Sequence, residues 1–298
     1  MRKHLMEESF RHHIIGVVLI VFAFLCVSVM NAFAKVALET VPLGMLLFTQ
    51  NFLALCLAIF FVFRSPKALI THRLKLHIFR AITGLLSLAC LFIAIEYISL
   101  VNATLLANSA PLFLPFVVWV WFGQKITKTL WLCLIIGFLG VFFIANPTSD
   151  LGLLFDSWMV LIALLGSLFS AIALQCVRTL GSTESPLTTV TYYFLIASIA
   201  TLPFAVLQWQ HLSRRDWLML FEIAVLLALI QYLLFVAYKY ASPTFLGPFN
   251  YSVVIFSGII QWIYWKIAPT PIAFLGIFLI CLGGMLAILQ QKRSQKLR

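Results

Sequence analysis

Apolar residues run through this chain in long unbroken stretches, each closed by a short polar or turn-forming segment. Ten such stretches stand out: Ile14–Ala34, Leu43–Phe63, Ile78–Tyr97, Val101–Phe122, Thr129–Asn146, Ser157–Val177, Thr188–Leu207, Trp217–Ala237, Thr244–Trp265 and Ile272–Leu289. Each is near the roughly 20 residues that a helix needs to cross about 30 Å of hydrocarbon. Continuous apolarity of this length predicts helix, because a helix satisfies its own backbone in lipid. The connections are short and several carry turn formers: Ser65-Pro66, Asn146-Pro147, Ser185-Pro186 and Pro269-Thr270-Pro271. The pattern predicts an all-α integral membrane protein with ten transmembrane helices.

The chain also repeats itself. Leu91–Ser99 reads LFIAIEYIS and Leu234–Ser242 reads LFVAYKYAS, an ungapped offset of 143 residues. At the same offset Trp119 meets Trp262, Thr127 meets Thr270 and Gly140 meets Gly283. The echo predicts two related halves, 1–147 and 148–298, with five spans in each. Five is odd, so the second half enters the membrane the other way up. The repeat is therefore expected to be inverted, as in many secondary transporters.

Composition agrees with lipid as the solvent. The chain is 63% hydrophobic and 10% charged, where a soluble protein is about a quarter charged. A net charge of +11 would suggest nucleic acid in a soluble protein. Here the basic residues set orientation instead, and no nucleic-acid partner is expected. With the N-terminus in the cytoplasm, the outer side holds only Lys35, Arg214, Arg215 and Lys266 of the 20 Lys and Arg. Both termini are expected to be cytoplasmic. Arg2, Lys3 and Arg11 ahead of Ile14–Met30 resemble a signal peptide, but the run is longer than a usual signal core and reads as a retained first span. The six cysteines form no CxxC pair, so neither a disulfide nor a metal site is expected, and no cofactor.

Inverted repeats place a substrate between the halves near the midplane, often beside broken helices. The fourth span holds Pro111 and Pro115; the ninth is preceded by Pro243 and holds Pro248. Proline removes a backbone donor and frees a carbonyl one turn back. Beside these prolines lie Asn108 and Ser109 in one half, Asn250 and Tyr251 in the other. Polar groups in hydrocarbon are costly unless paired or facing water. They either line a central cavity or bond neighbouring helices as packing contacts. Asn51 and Gln231 lie deep in their runs and join them as candidates. Glu96 and Lys35 fall at outer ends, as a gating ion pair or as boundary charges reaching for water.

Absences narrow the chemistry. Glu96 and Glu222 sit near outer ends, and the six histidines are expected in the tail or loops, so no intramembrane proton relay is evident. There is no P-loop and no HExxH or GxSxG.

With these features assembled, the chain resembles the drug/metabolite transporter superfamily, specifically the ten-helix EamA-type proteins with two five-helix repeats. The resemblance covers nearly the whole chain. It rests on Arg80, Phe92-x-Ala94 with Tyr97, Ala103-Thr104, Pro111-Leu112-Phe113, Gly123-x-x-x-Thr127 and Gly137-x-x-Gly140 in the first half. In the second half it rests on Tyr240, Pro248, Trp265, Pro269-Thr270, Gly276 and Gly283-Gly284. The family commonly has Gly-Glu after the fourth and ninth spans; here stand Gly123-Gln124 and Lys266-Ile267. The resemblance implies a bacterial inner-membrane carrier of small organic metabolites, working by alternating access as a monomer or homodimer. Relatives move amino acids, S-adenosylmethionine-like metabolites, vitamins such as riboflavin, and drugs.

The expected mechanism is rocking of the halves around Asn51, Asn108, Ser109, Gln231, Asn250 and Tyr251, with Pro111, Pro115, Pro248, Glu96 and Lys35 shaping breaks and gates. Little embedded charge favours a neutral or zwitterionic substrate. Two other readings compete. A membrane enzyme acting on a lipid would use Asp150 and Asp156 on one outer loop, and a non-transporting scaffold would need no two-state site.

Overall fold

The computed structural model describes residues 2–62, 71–123, 128–145, 153–181, 183–240, 246–267 and 271–296. Gln124, Asp150 and Pro243 lie outside these. The described residues form α1 (Arg2–Ala37), α2 (Leu43–Val62), α3 (Leu74–Tyr97), α4 (Leu100–Ala107), α5 (Ala110–Phe122), α6 (Lys128–Ala145), α7 (Leu153–Leu180), α8 (Pro186–Leu207) and α9 (Arg214–Tyr240). A 3-10 turn, Gly247–Tyr251, follows, then α10 (Ser252–Trp265) and α11 (Pro271–Lys296). Among the described residues, seven helical segments are long and apolar enough to cross a membrane.

Burial is inverted relative to a water-soluble protein. Val120 and Leu207 are each 83% exposed, while Asn31, Gln50 and Asn51 are 0% exposed. An apolar exterior over a partly polar interior is what a hydrocarbon solvent selects. The chain is a multi-pass membrane protein.

Helix ends follow from capping residues. Ser99 caps α4 by accepting from the Asn102 N–H at 3.2 Å. Ser185 caps α8 through the Thr188 N–H at 3.1 Å, with Pro186 next, where its missing donor costs nothing. At α9, Ser213 and Asp216 form a reciprocal capping box: the Asp216 N–H donates to Ser213 Oγ at 3.2 Å and the Ser213 N–H to Asp216 Oδ2 at 2.9 Å. Gly123 ends α5 and Lys266 ends α10, both in the left-handed conformation.

The main packing pairs are α1 with α9, α2 with α8, α3 with α7 and α6 with α11; α4 packs less extensively on α10. Secondary contacts join α1 to α10, α7 to α4 and α5, α2 to α9 and α3 to α8. Glycine permits the closest crossing. A Cβ on Gly140 of α6 would stand 2.7 Å from the Gly276 carbonyl oxygen and 2.7 Å from the Ile280 nitrogen of α11. Small residues at such crossings let backbones approach in lipid.

Candidate functional site

The fourth span is not one helix. α4 stops at Ala107 and α5 starts at Ala110, with Asn108 and Ser109 in the turn between. The Asn108 N–H returns to the Thr104 carbonyl at 3.0 Å, and its side-chain Nδ2 donates to the same carbonyl at 2.7 Å. Ser109 Oγ donates to the Leu105 carbonyl at 3.0 Å. Pro111 follows in the first turn of α5 and has no N–H to give. The two polar side chains therefore close the end of α4 where the helix ladder lapses. Pro115 lies inside α5, which continues through it.

The ninth span is irregular at its start. Gly247–Tyr251 is a 3-10 turn with Pro248 in its first positions, and it runs directly into α10. Asn250 Oδ1, Tyr251 OH, Ser252 Oγ and Ser257 Oγ are buried there without a hydrogen-bond partner. Two contacts tie α10 to the first half. Ser28 Oγ of α1 donates to the Val253 carbonyl at 2.9 Å. Gln261 Oε1 accepts the Val101 N–H of α4 at 3.1 Å.

On α2, Asn51 Nδ2 donates to the Leu47 carbonyl at 2.7 Å, and its Oδ1 has no partner. Neither amide atom of Asn31 or Gln50 has one. Gln231 is half-buried on α9, which packs on α1 and α2. Among the described residues no hydrogen bond joins one of the six predicted site residues to another. Each buried polar group left unsatisfied costs about 1–3 kcal/mol. What the set offers chemically is neutral: amide and hydroxyl donors and acceptors, suited to orienting a ligand by hydrogen bonds.

The two ends of the bundle carry polar contacts between the halves. Where α1 leads into α2, Thr40 Oγ1 donates to Asp216 Oδ1 at 2.8 Å, the Gly44 N–H donates to Gln208 Oε1 at 2.9 Å, and Gln210 Nε2 donates to the Thr40 carbonyl. At the opposite end of α2 and α8, Thr71 Oγ1 donates to Glu184 Oε1 at 2.8 Å. Lys35 Nζ donates to the carbonyls of Ile95 and Ile98, either side of Glu96, whose side chain is exposed.

One sequence expectation is corrected. The histidines are not confined to tail and loops: His77 lies in the first turns of α3 and is 1% exposed. Arg80, one turn on, has Nε and Nη1 buried without a hydrogen-bond partner. The i, i+3 spacing of His77 and Arg80 at the head of a span was the available signal. Its reach towards Tyr193 on α8 is a tertiary fact.

The EamA-like transporter family model matches residues 14–146 and again 157–289. The chain belongs to the EamA-like transporter family. The pseudopaline exporter CntI of Pseudomonas aeruginosa is 28% identical over 271 residues, covering 89% of this chain and 93% of that protein. A riboflavin transporter of Vibrio cholerae serotype O1 is 24% identical over 301 residues, covering 97% and 98%. A protein solved by crystallography superposes with a TM-score of 0.65 over 96% of this chain and 99% of its own, at 14% identity, which speaks to fold alone. The EamA-type resemblance is thus established, and the chain is a transporter rather than an enzyme.

Proposed function

We propose that the chain is a ten-span carrier of the bacterial inner membrane, built as two inverted five-helix repeats, 1–147 and 148–298, with both termini in the cytoplasm. It moves its substrate by alternating access, as a monomer or homodimer in the lipid bilayer. One observation carries this reading: exchange of the halves sends the main helix packing pairs into one another. Under the exchange α1, α2, α3, α4–α5 and α6 become α7, α8, α9, the 3-10 turn with α10, and α11. The pairs α2–α8, α6–α11 and α4–α10 are then unchanged, while α1–α9 swaps with α3–α7 and α2–α9 with α3–α8. The Thr40–Asp216 and Thr71–Glu184 contacts, at opposite ends, join loops that the same exchange interchanges. A two-fold device with a closure at each end is what alternating access requires.

In this reading Asn51, Asn108, Ser109, Gln231, Asn250 and Tyr251 orient the substrate, and Pro111 and Pro248 keep the two breaks open, while α5 runs on through Pro115. Lys35 and Glu96 belong to the outer gate, Lys35 by holding the end of α3. The Thr40–Asp216 end is the outer side and the Thr71–Glu184 end the inner.

The test is counterflow in proteoliposomes holding the full-length protein, with labelled riboflavin, pseudopaline, S-adenosylmethionine and amino acids. Saturable exchange of one class, absent from empty liposomes, supports the carrier and names its substrate. Accessibility of cysteines placed at 40 and 184 to a membrane-impermeant thiol reagent fixes orientation. Labelling of position 184 from outside intact cells would overturn the topology.

A further inference from the structure

Arg80 stands in α3 with its guanidinium carbon 4.2 Å from the centroid of the Tyr193 ring on α8. The ring is held from several sides. Tyr193 is 6% exposed and tilts against Phe194 at 5.5 Å. Gly84 lies one turn beyond Arg80 on the same face of α3, and a Cβ there would come 3.1 Å from Tyr193 Cε2. The glycine makes room for the ring that the guanidinium covers.

Arg80 as a whole is half-buried. Arg80 Nε and Nη1 are buried and reach no hydrogen-bond partner. A guanidinium does not deprotonate, and a cation–π contact is worth about 0.5–2 kcal/mol, less than the cost of burying an unpaired charge. The nearby carboxylate, Glu184, accepts from Thr71. Beside Arg80, His77 is 1% exposed, its ring stacks on Tyr192 at 4.8 Å, and neither of its nitrogens has a partner. Thr83 does not help, since its hydroxyl returns to the Phe79 and Arg80 carbonyls. Cation and imidazole are thus presented by α3 against α8 with open hydrogen-bonding capacity, at the end of the bundle closed by Thr71 and Glu184.

We propose that His77 and Arg80, seated on Tyr192 and Tyr193, bind an oxyanion group of the transported molecule, a carboxylate or a phosphate. Arginine takes either through short charge-assisted hydrogen bonds. The inference rests on the carrier reading and narrows it: the substrate carries at least one acidic group, received at the α3–α8 end. The neutral amides at the helix breaks then meet the rest of the molecule.

The experiment is thermal unfolding of the full-length protein in detergent, titrated with sodium acetate, sodium citrate or inorganic phosphate against sodium chloride at constant ionic strength. A ligand that binds the folded state raises the melting temperature saturably. The expected result is a saturable rise with a carboxylate or with phosphate, whichever responds naming the group. Arg80→Gln should weaken that response at least tenfold, with His77→Gln and Arg80→Lys in between. Without ligand, Arg80→Gln should melt at or above the wild type, because it removes a cation whose Nε and Nη1 are buried without partners; a merely structural arginine would lower it. No saturable response to any probe, or an equal response in Arg80→Gln, overturns the inference. Counterflow in the same preparations separates the two readings. Flux without an Arg80-dependent anion response sinks the oxyanion site and leaves the carrier. An Arg80-dependent response without flux of any substrate sinks the carrier and leaves the site.

Discussion

Gly123 and Lys266, 143 residues apart, end α5 and α10 in the same left-handed backbone conformation, with φ of 65° and 58°. The offset is that of the sequence echo. Glycine adopts this region without strain, whereas a residue with a Cβ is disfavoured there by about 1–2 kcal/mol. One half thus keeps the helix-stopping glycine and the other holds a lysine in its place. Lys266→Gly should stabilise the protein by about 1 kcal/mol in thermal unfolding. Gly123→Ala should destabilise it by a similar amount through conformation alone, since a Cβ at Gly123 meets nothing within 4 Å. No gain from Lys266→Gly would show that the lysine side chain makes up the difference at the membrane surface.

The α6–α11 crossing depends on Gly140. An added methyl would press on main-chain atoms of Gly276 and Ile280, which cannot swing aside as a side chain can. Gly140→Ala is expected to cost about 1–3 kcal/mol, the usual range for overpacking. Gly258→Ala is the control, since its nearest neighbour, Val101 Cγ2, would lie at an ordinary 3.7 Å. Equal melting temperatures for the two variants would mean that α6 and α11 separate freely.

Asp216 links two jobs. It caps α9 through Ser213 and ties α9 to the α1–α2 turn through Thr40. Thr40→Val removes the tie and leaves the cap; Asp216→Ala removes both. Each hydrogen bond contributes about 1 kcal/mol, more when the acceptor is charged. Asp216→Ala should therefore lose more stability than Thr40→Val. Both should increase labelling of a cysteine placed at Gln210 by a thiol reagent, if this contact closes its end of the bundle. Unchanged labelling in both would remove the contact from the gate.

The apolar helices were legible because lipid imposes one requirement along the whole chain, continuous apolarity, and several helix ends followed. α3 ends at Tyr97 and α8 at Leu207, as the pattern predicts. The interruption at Asn108–Ser109 was foreshadowed only by the prolines, because an apolar run looks the same whether its helix is continuous or kinked. His77 and Arg80 escaped for a different reason. Counting basic residues at span ends treats each as solvated, yet Arg80 is drawn inward by the Tyr193 face, and no local pattern on α3 records a ring presented by α8. The Thr71–Glu184 tie was equally invisible, since it spans 113 positions between two loops with ordinary polar composition.

The two helix breaks give the sharpest test of the central site. Asn108 and Asn250 stand at the breaks of the fourth and ninth spans, but their bonding differs. Asn108 gives its amide nitrogen to the Thr104 carbonyl, whereas Asn250 keeps a buried oxygen without a partner. Asn108→Ala should therefore lower stability by about 1 kcal/mol by removing the second of two hydrogen bonds to the Thr104 carbonyl, which keeps the main-chain one. Asn250→Ala should be neutral or mildly stabilising, since it removes an unpaired group. If both asparagines orient the substrate, the double change should abolish counterflow in protein that still elutes as a single folded species and unfolds cooperatively. Normal flux in such protein would move the substrate site away from the breaks. Loss of flux with Asn108→Ala alone, in step with its loss of stability, would make Asn108 a structural cap and leave recognition to Asn250 and its neighbours.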